Sequence, residues 1–398
     1  MKKYLLATAA AALTAGTAFA GSHEGPVKIG VMLAFTGPLE SLAPPIGDAA
    51  DVAVAEINEA GGILGGRMIE VVRGDGTCAD AAAATAAAER MVTSDGIEAL
   101  VGAMCSGTTG AVLQAVSIPN GIAQISPSAT SPGLSTVEDN GLFFRLAPSD
   151  ARQGQLMAEI IQGRGINEVA LTYTNNDYGK GLADSFQAAF EEVGGTVTIN
   201  AAHDEAKGDY SAEVGALASA GGDVLVVAGY ADGGGSGIIQ SALDLGAFDT
   251  FVLPDGMVAS ALTDRFGADI DGSFGQLPSA QSEGAASLES ILGEAGIDGA
   301  SIYAREGYDS MAVMALAIHA AGTTDGAEVA AKVLEVANAP GEPIGPGEIA
   351  KGLEILSNGG DIDYVGGSDV ELIGPGESGG SYREIEIQGG SIETVKFH

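Results

Sequence analysis

Two stretches of the sequence are suited to hold a small molecule: Met104-Cys105-Ser106-Gly107-Thr108-Thr109 and Ser126-Pro127-Ser128-Ala129-Thr130. Each follows a short apolar run (99–103 and 122–125), and the first also precedes a helix-like segment, 110–116. In a parallel α/β sheet, such strand-to-helix corners are where ligands sit. Hydroxyls beside the free N–H groups of a helix start suit a small anion such as a carboxylate. Further along, Tyr230 follows the run 224–229 and Asp255 follows 251–254. An aspartate at such a corner can meet an ammonium group while Ser106 and Thr130 meet a carboxylate. Together they would grip both charged ends of an α-amino acid by charge-assisted hydrogen bonds. The plainer roles are a helix N-cap for Asp255 and a cap or turn hydroxyl for Thr130.

Other chemistries find little support. The histidines are His23, His203, His319 and His398, and none joins a cysteine or a second histidine at metal-ligand spacing. His319 falls inside an apolar helix, where a core or edge role is the ordinary one. Asp361-Ile362-Asp363 lacks the calcium-loop pattern. No Gly-x-Ser-x-Gly elbow is present, and no histidine lies where strand-end corners would bring it beside Ser106. Gly233-Gly234-Gly235-Ser236-Gly237 has neither a Walker-type lysine nor the dinucleotide register, and reads as a flexible turn before a helix.

The amino terminus carries an address. Lys2-Lys3, an apolar core from Tyr4 to about Thr14, and Thr17-Ala18-Phe19-Ala20 form a secretory signal peptide over 1–20, with cleavage expected after Ala20. The apolar core is well below the roughly 20 residues needed to span a bilayer. Without the two leader lysines, the formal charge moves from −36 to about −38, from 53 acidic against 17 basic residues. Such a surface argues against nucleic acid and anionic membranes as partners. Cys78 and Cys105 are the two cysteines of the chain, and in an oxidising compartment they are expected to pair, with free buried thiols as the alternative.

The elements that must position these residues alternate. Strand-like runs at 27–33, 68–72, 99–103 and 122–125 are interleaved with helical spacing at 47–60, 79–92 and 108–116. A second series follows 143–148, with strands at 168–173, 196–200, 223–228 and 251–254 and helices at 150–162, 179–193, 211–220 and 237–245. Helices at 285–294, 308–321 and 327–337 come next, then strand-like runs at 362–365, 370–373 and 382–387 separated by Gly-Gly pairs. The same βα alternation run twice, over about 378 mature residues, predicts two α/β lobes.

The ordered set of motifs resembles the branched-chain amino-acid-binding (Leu/Ile/Val-binding) family of periplasmic receptors for ABC importers. It consists of Ile29-Gly30-Val31 with Thr36-Gly37-Pro38, Ala55-Glu56-Ile57-Asn58 with Gly61-Gly62-Ile63, Cys78 with Cys105, Ser126–Thr130, Phe144-Arg145, Asp177-Tyr178-Gly179 and Tyr308-Asp309. The resemblance covers essentially the whole mature chain. It implies a type I periplasmic-binding-protein fold: two Rossmann-like lobes joined by three crossovers and closing like a hinge on a ligand between them. The lobes would be 27–146 plus 279–374 and 147–278 plus 375–398. It further implies a Cys78–Cys105 disulfide, carboxylate binding by Ser106 and Thr130 with backbone near Thr108, and ammonium binding by the Ser128 carbonyl, Tyr230 and Asp255. Tyr178 would line the cleft as an aromatic wall.

Two departures bear on the ligand. Asp255 stands where the family usually has glutamate, and Leu39-Glu40-Ser41-Leu42 stands where leucine binders carry an aromatic residue. Arg145 lies too near the crossover to read as a ligand group, and structural pairing is its expected role. The implied protein is a non-catalytic periplasmic receptor, expected as a monomer with no cofactor. It would deliver a small neutral, apolar amino acid to the permease subunits of an inner-membrane importer. The alternatives are the same fold carrying an amide, urea or aromatic acid, a sensing module, or an enzyme on the same scaffold.

Overall fold

The computed structural model describes residues 25–398, so the 1–20 leader and its cleavage after Ala20 lie outside the described residues. The first half of the fold is built on β1 (Val27–Leu33), β2 (Ile69–Asp75), β3 (Ala99–Gly102), β4 (Ala123–Ser126) and β5 (Phe143–Pro148), in the spatial order β5-β4-β3-β1-β2. The second half repeats that order with β6 (Glu168–Thr174), β7 (Thr196–His203), β8 (Val224–Ala228), β9 (Phe251–Leu253) and β10 (Phe274–Pro278), as β10-β9-β8-β6-β7. All of these neighbours pair in parallel. In both sheets the first strand is flanked by the second and the third. The strand order therefore reverses there, and a crevice opens at the carboxyl edge.

The tail completes both sheets. After a small parallel pair, β11 (Glu342–Ile344) with β12 (Ile362–Tyr364), strands β13 (Leu372–Ile373) and β14 (Glu377–Ser378) extend the first sheet beyond β5. Strands β15 (Tyr382–Gln388) and β16 (Ser391–Phe397) then extend the second, antiparallel to β10 and to each other. The backbone thus passes between the sheets after β5, after β10 and between β14 and β15. The architecture is α/β with two lobes.

Burial explains why these segments became strands. Residues 224–228 of β8 are all buried, and β1 is buried at every position except Lys28, as expected of parallel strands covered by helices on both faces. Each fully buried Val, Leu or Ile contributes about 1.5–3 kcal/mol relative to exposure. Helix Ala304–Ala321 is buried without a break from Glu306 to Ile318, because a helix apolar on nearly all sides belongs in an interior. It lies so close to helix Ala43–Glu59 that a Cβ on Gly307 would stand 2.4 Å from the Ile46 carbonyl oxygen. A side chain at 307 would therefore separate the two helices.

Several boundaries differ from the sequence reading. The first helix begins at Ala43 rather than 47, because Pro44 and Pro45 occupy its first turn, where no backbone donor is lost. The glycine-rich stretch is not a turn ahead of its helix: the helix runs Gly234–Leu245, so most of the glycines lie in its opening turn. Strand β10, strand β16 and helix Ile349–Ser357 do not emerge from the sequence pattern.

Candidate functional site: a cleft between two sheets

The carboxyl edges of the two sheets face one another across a narrow cleft. From the first sheet come Leu39 and Leu42 after β1, Met104, Cys105 and Ser106 after β3, and Ser128 after β4. From the second come Tyr178 after β6, Tyr230 after β8, and Asp255 with Gly256 after β9. Tyr303, at the start of helix Ala304–Ala321, completes the wall.

On the first side, the polar groups stitch neighbouring corners together. Cys78 and Cys105 form a disulfide with Cα atoms 5.4 Å apart, tying the chain after β2 to the chain after β3. The Ser126 hydroxyl donates to the Ala103 carbonyl at 2.7 Å, and the Ser128 hydroxyl to the Met104 carbonyl at 2.9 Å. The Ser106 hydroxyl accepts from the Ser131 N–H at 3.0 Å, which leaves its own proton available to a ligand. Ser106 also begins helix Ser106–Val112, whose first N–H groups lack intrahelical partners. At the rim, Gly37 takes a φ of 105°, and a Cβ there would stand 2.3 Å from the Thr77 carbonyl oxygen. That turn delivers Leu39 and Leu42 to the cleft.

The second side centres on Asp255, which is 3 % exposed. The Tyr178 hydroxyl donates to its Oδ1 and the Tyr303 hydroxyl to its Oδ2, both at 2.7 Å. Burial, and next the Asp255 charge, push both phenols well above their ordinary range, so they act as neutral donors. Tyr178 stacks on Tyr230 with ring centroids 5.3 Å apart, and Asn176 donates to the Tyr230 hydroxyl at 3.1 Å. Gly256 has no room for a side chain: a Cβ would lie 2.6 Å from the Gly229 carbonyl oxygen and 2.9 Å from the Tyr178 hydroxyl. Asp255 heads the short 3-10 turn Asp255–Met257, and no side-chain cap bond forms there.

Ser106, Ser128, Tyr178, Tyr230 and Asp255 are thus brought together, while Thr108 and Thr130 are buried and not among the residues that line the cleft. The Thr108 hydroxyl donates to the Cys105 carbonyl at 2.9 Å. Thr130 is buried with its side chain beside the Asp150 carboxyl, and its carbonyl accepts from the Asp150 N–H at 2.9 Å. Arg145 holds that loop from below: its Nη1 donates to the carbonyls of Ala129 and Ser131, and its Nη2 pairs with Glu377 at 2.5 Å. Its role is structural pairing. Beside Thr130, Asp150 is fully buried, and desolvation, then the Asp255 charge, raise it well above the carboxylate range against the smaller lowering pull of the Thr130 hydroxyl.

Sequence reasoning missed Tyr303 and Gly256 as lining residues. Tyr303 takes a φ of 61°, a left-handed conformation that an aromatic residue's sequence context does not announce. Two of the histidines, His203 and His319, take structural positions. His203 is buried against the Thr172 hydroxyl at 2.9 Å with its pKa lowered by burial to about 4, and His319 bridges the Leu64 N–H and the Ser357 hydroxyl. Among the described residues no group of three His, Cys, Asp or Glu side chains could hold a metal ion, and no helix is long and apolar enough to cross a membrane.

Known proteins are similar to this chain in sequence and in fold. A Leu/Ile/Val-binding protein homolog 1 of Brucella melitensis is 30% identical over 330 residues, 81% of this chain and 86% of that protein. The crystal structure of the branched-chain amino acid transporter substrate-binding protein LivJ of Streptococcus pneumoniae, in complex with isoleucine, superposes with a TM-score of 0.76 at 22% identity, covering 93% of this chain and 99% of that one. A solute-binding protein of R. palustris in complex with benzoate superposes with a TM-score of 0.73 at 16% identity, covering 94% and 96%. Residues 26–352 match the periplasmic binding protein family, and the chain belongs to that family of binding proteins, which are not enzymes.

Proposed function

We propose that this protein is the periplasmic solute-binding component of an ABC importer, that it captures a small neutral amino acid with an apolar side chain, and that it hands this ligand to the permease subunits. The carrying observation is the opposition across one cleft of a buried carboxylate, Asp255, and a helix start bearing the Ser106 hydroxyl. An α-amino acid presents the complementary pair, an ammonium for Asp255 and a carboxylate for Ser106 and its neighbouring N–H groups. Leu39, Leu42 and Met104 supply an apolar wall for the side chain. No lysine or arginine lines the cleft, which disfavours a second acidic group on the ligand. Because the lining comes from both lobes, a ligand meets all of its contacts only when the lobes are shut, so binding shifts the population toward the shut form. The leader at 1–20 provides export to the periplasm.

The benzoate-bound relative in fold motivates a second reading, an aromatic acid without an amine. Asp255 weighs against it, since such a ligand leaves a buried carboxylate without a cationic partner. A thermal-shift screen of refolded, ligand-stripped protein tests both, using neutral, acidic and basic amino acids, amides, ureas and aromatic acids. A ligand at about a thousand times its dissociation constant adds roughly 4 kcal/mol. Neutral aliphatic amino acids are expected to raise the melting temperature. A response confined to compounds without an amine would overturn the proposal.

A further inference from the structure

Tyr303 and Asp255 reach their hydrogen bond from opposite sides of the cleft. Tyr303 precedes helix Ala304–Ala321, which packs on helix Ala43–Glu59 and on the first sheet; the contact at Gly307 and Ile46 fixes it there. Asp255 ends β9 of the second sheet. The 2.7 Å bond between them therefore spans the two lobes, whereas the equally short bond from Tyr178 comes from the same lobe as Asp255. Parting the lobes would strip one donor from the carboxylate and leave the other in place. Both partners are buried, Tyr303 at 5 % and Asp255 at 3 % exposure, so the bond forms away from water, where its electrostatic strength is greatest. The left-handed backbone of Tyr303 is disfavoured for an aromatic residue, and here it aims the phenol across the cleft.

We propose that Tyr303 is a positioning residue: its hydroxyl latches the first lobe to the carboxylate of the second, so that shutting the cleft and fixing Asp255 for a ligand amine are one event. The role in amine binding rests on the function proposed above; the latch itself does not. Tyr303→Phe keeps the ring and its packing and removes the hydroxyl that makes the bond.

The test measures the distance between nitroxide labels on exposed Glu89 and Glu192, one on each lobe, by pulsed electron resonance, together with leucine affinity by calorimetry. Tyr303→Phe is expected to move the ligand-free population toward longer distances and to weaken leucine binding by about 10- to 100-fold, the range for a hydrogen bond to a charged group. Asp255→Ala removes the same bond from the other end and must lengthen the ligand-free distance in the same way. Tyr178→Phe must leave the ligand-free distance unchanged. Wild-type distances in both Tyr303→Phe and Asp255→Ala would overturn the latch, even if both variants melt at lower temperature. A lengthened distance in a protein that never binds leucine would leave the latch standing and remove the amino-acid reading instead.

Discussion

Asp255 and Asp309 are both buried aspartates, and their surroundings could hardly differ more. Asp309, within helix Ala304–Ala321, accepts from the Tyr364 hydroxyl at 2.8 Å, from the N–H groups of Gly367 and Ser368, and from the Ser368 hydroxyl at 2.6 Å. Its charge is answered by the fold itself, and it anchors the segment after β12 to the central helix. Asp255 receives two phenol protons, one per oxygen, and faces a cleft on its remaining side. A carboxylate surrounded by donors is a structural part. A carboxylate held in place by two donors, with lone pairs to spare and a cavity in front of it, is equipped for an incoming cation.

Paired substitutions sharpen that contrast. Asp255→Ala is expected to weaken leucine binding more than a hundredfold in calorimetry, with a cooperative unfolding transition retained. Asp309→Ala is expected to do the reverse. It orphans a phenol, a hydroxyl and two backbone donors, each costing about 1–3 kcal/mol, so urea unfolding should register a loss on the order of 3 kcal/mol or more. Leucine affinity of the folded fraction should be nearly unchanged. If Asp309→Ala lost binding without losing stability, the two acids would have been assigned the wrong way round.

The disulfide tests whether the first-lobe corners need fastening. Cys78→Ser with Cys105→Ser opens a loop of sequence separation 27 and should cost roughly 3 kcal/mol in the same unfolding measurement. The weaker corner should lower leucine affinity less than Asp255→Ala does. Another buried acid supplies an effect that appears only as pH changes. Glu306 lies in the same helix as Asp309, and burial raises its pKa from 4.5 to about 7. Between those two values the folded protein keeps a proton that the unfolded chain has released, so this group's contribution to stability falls as pH rises through the window. The Glu306→Gln variant escapes that loss. Its melting temperature should gain on the wild type from pH 4.5 to 7 and hold a constant lead above, equivalent to about 3 kcal/mol at most. A constant difference across that range would remove Glu306 from the account.

What was legible in the sequence follows the same division between groups satisfied locally and groups satisfied across the fold. The βα alternation is written in runs such as 27–33 and 224–228, which are apolar because both faces of each strand are covered. Strand β16 was not legible because it lies at the sheet edge and is mostly exposed, so Ser391–Phe397 shows no burial alternation. Helix Ile349–Ser357 is short and follows Gly345-Pro346-Gly347, which punctuates like a loop. Ser106, Tyr230 and Asp255 could be picked out because each closes an apolar run, and strand ends are where such sheets hold ligands. Thr130 could be picked out by the same rule, but it is not among the residues that line the cleft, and the Arg145 bonds to Ala129 and Ser131 that fix its loop are contacts that no spacing reveals. Tyr303 sits between two helices, far in sequence from everything it touches in the cleft, and only the packing of helix Ala304–Ala321 brings it there.

The most direct test of the central claim is calorimetry of ligand-stripped wild-type protein with leucine and with 4-methylpentanoate, which keeps the carboxylate and carbon skeleton but lacks the amine. If Asp255 is the ammonium partner, leucine binds and the des-amino compound binds at least a hundredfold more weakly. Equal or tighter binding of 4-methylpentanoate would contradict the account, because the buried carboxylate would then face an anionic ligand with no cation between them.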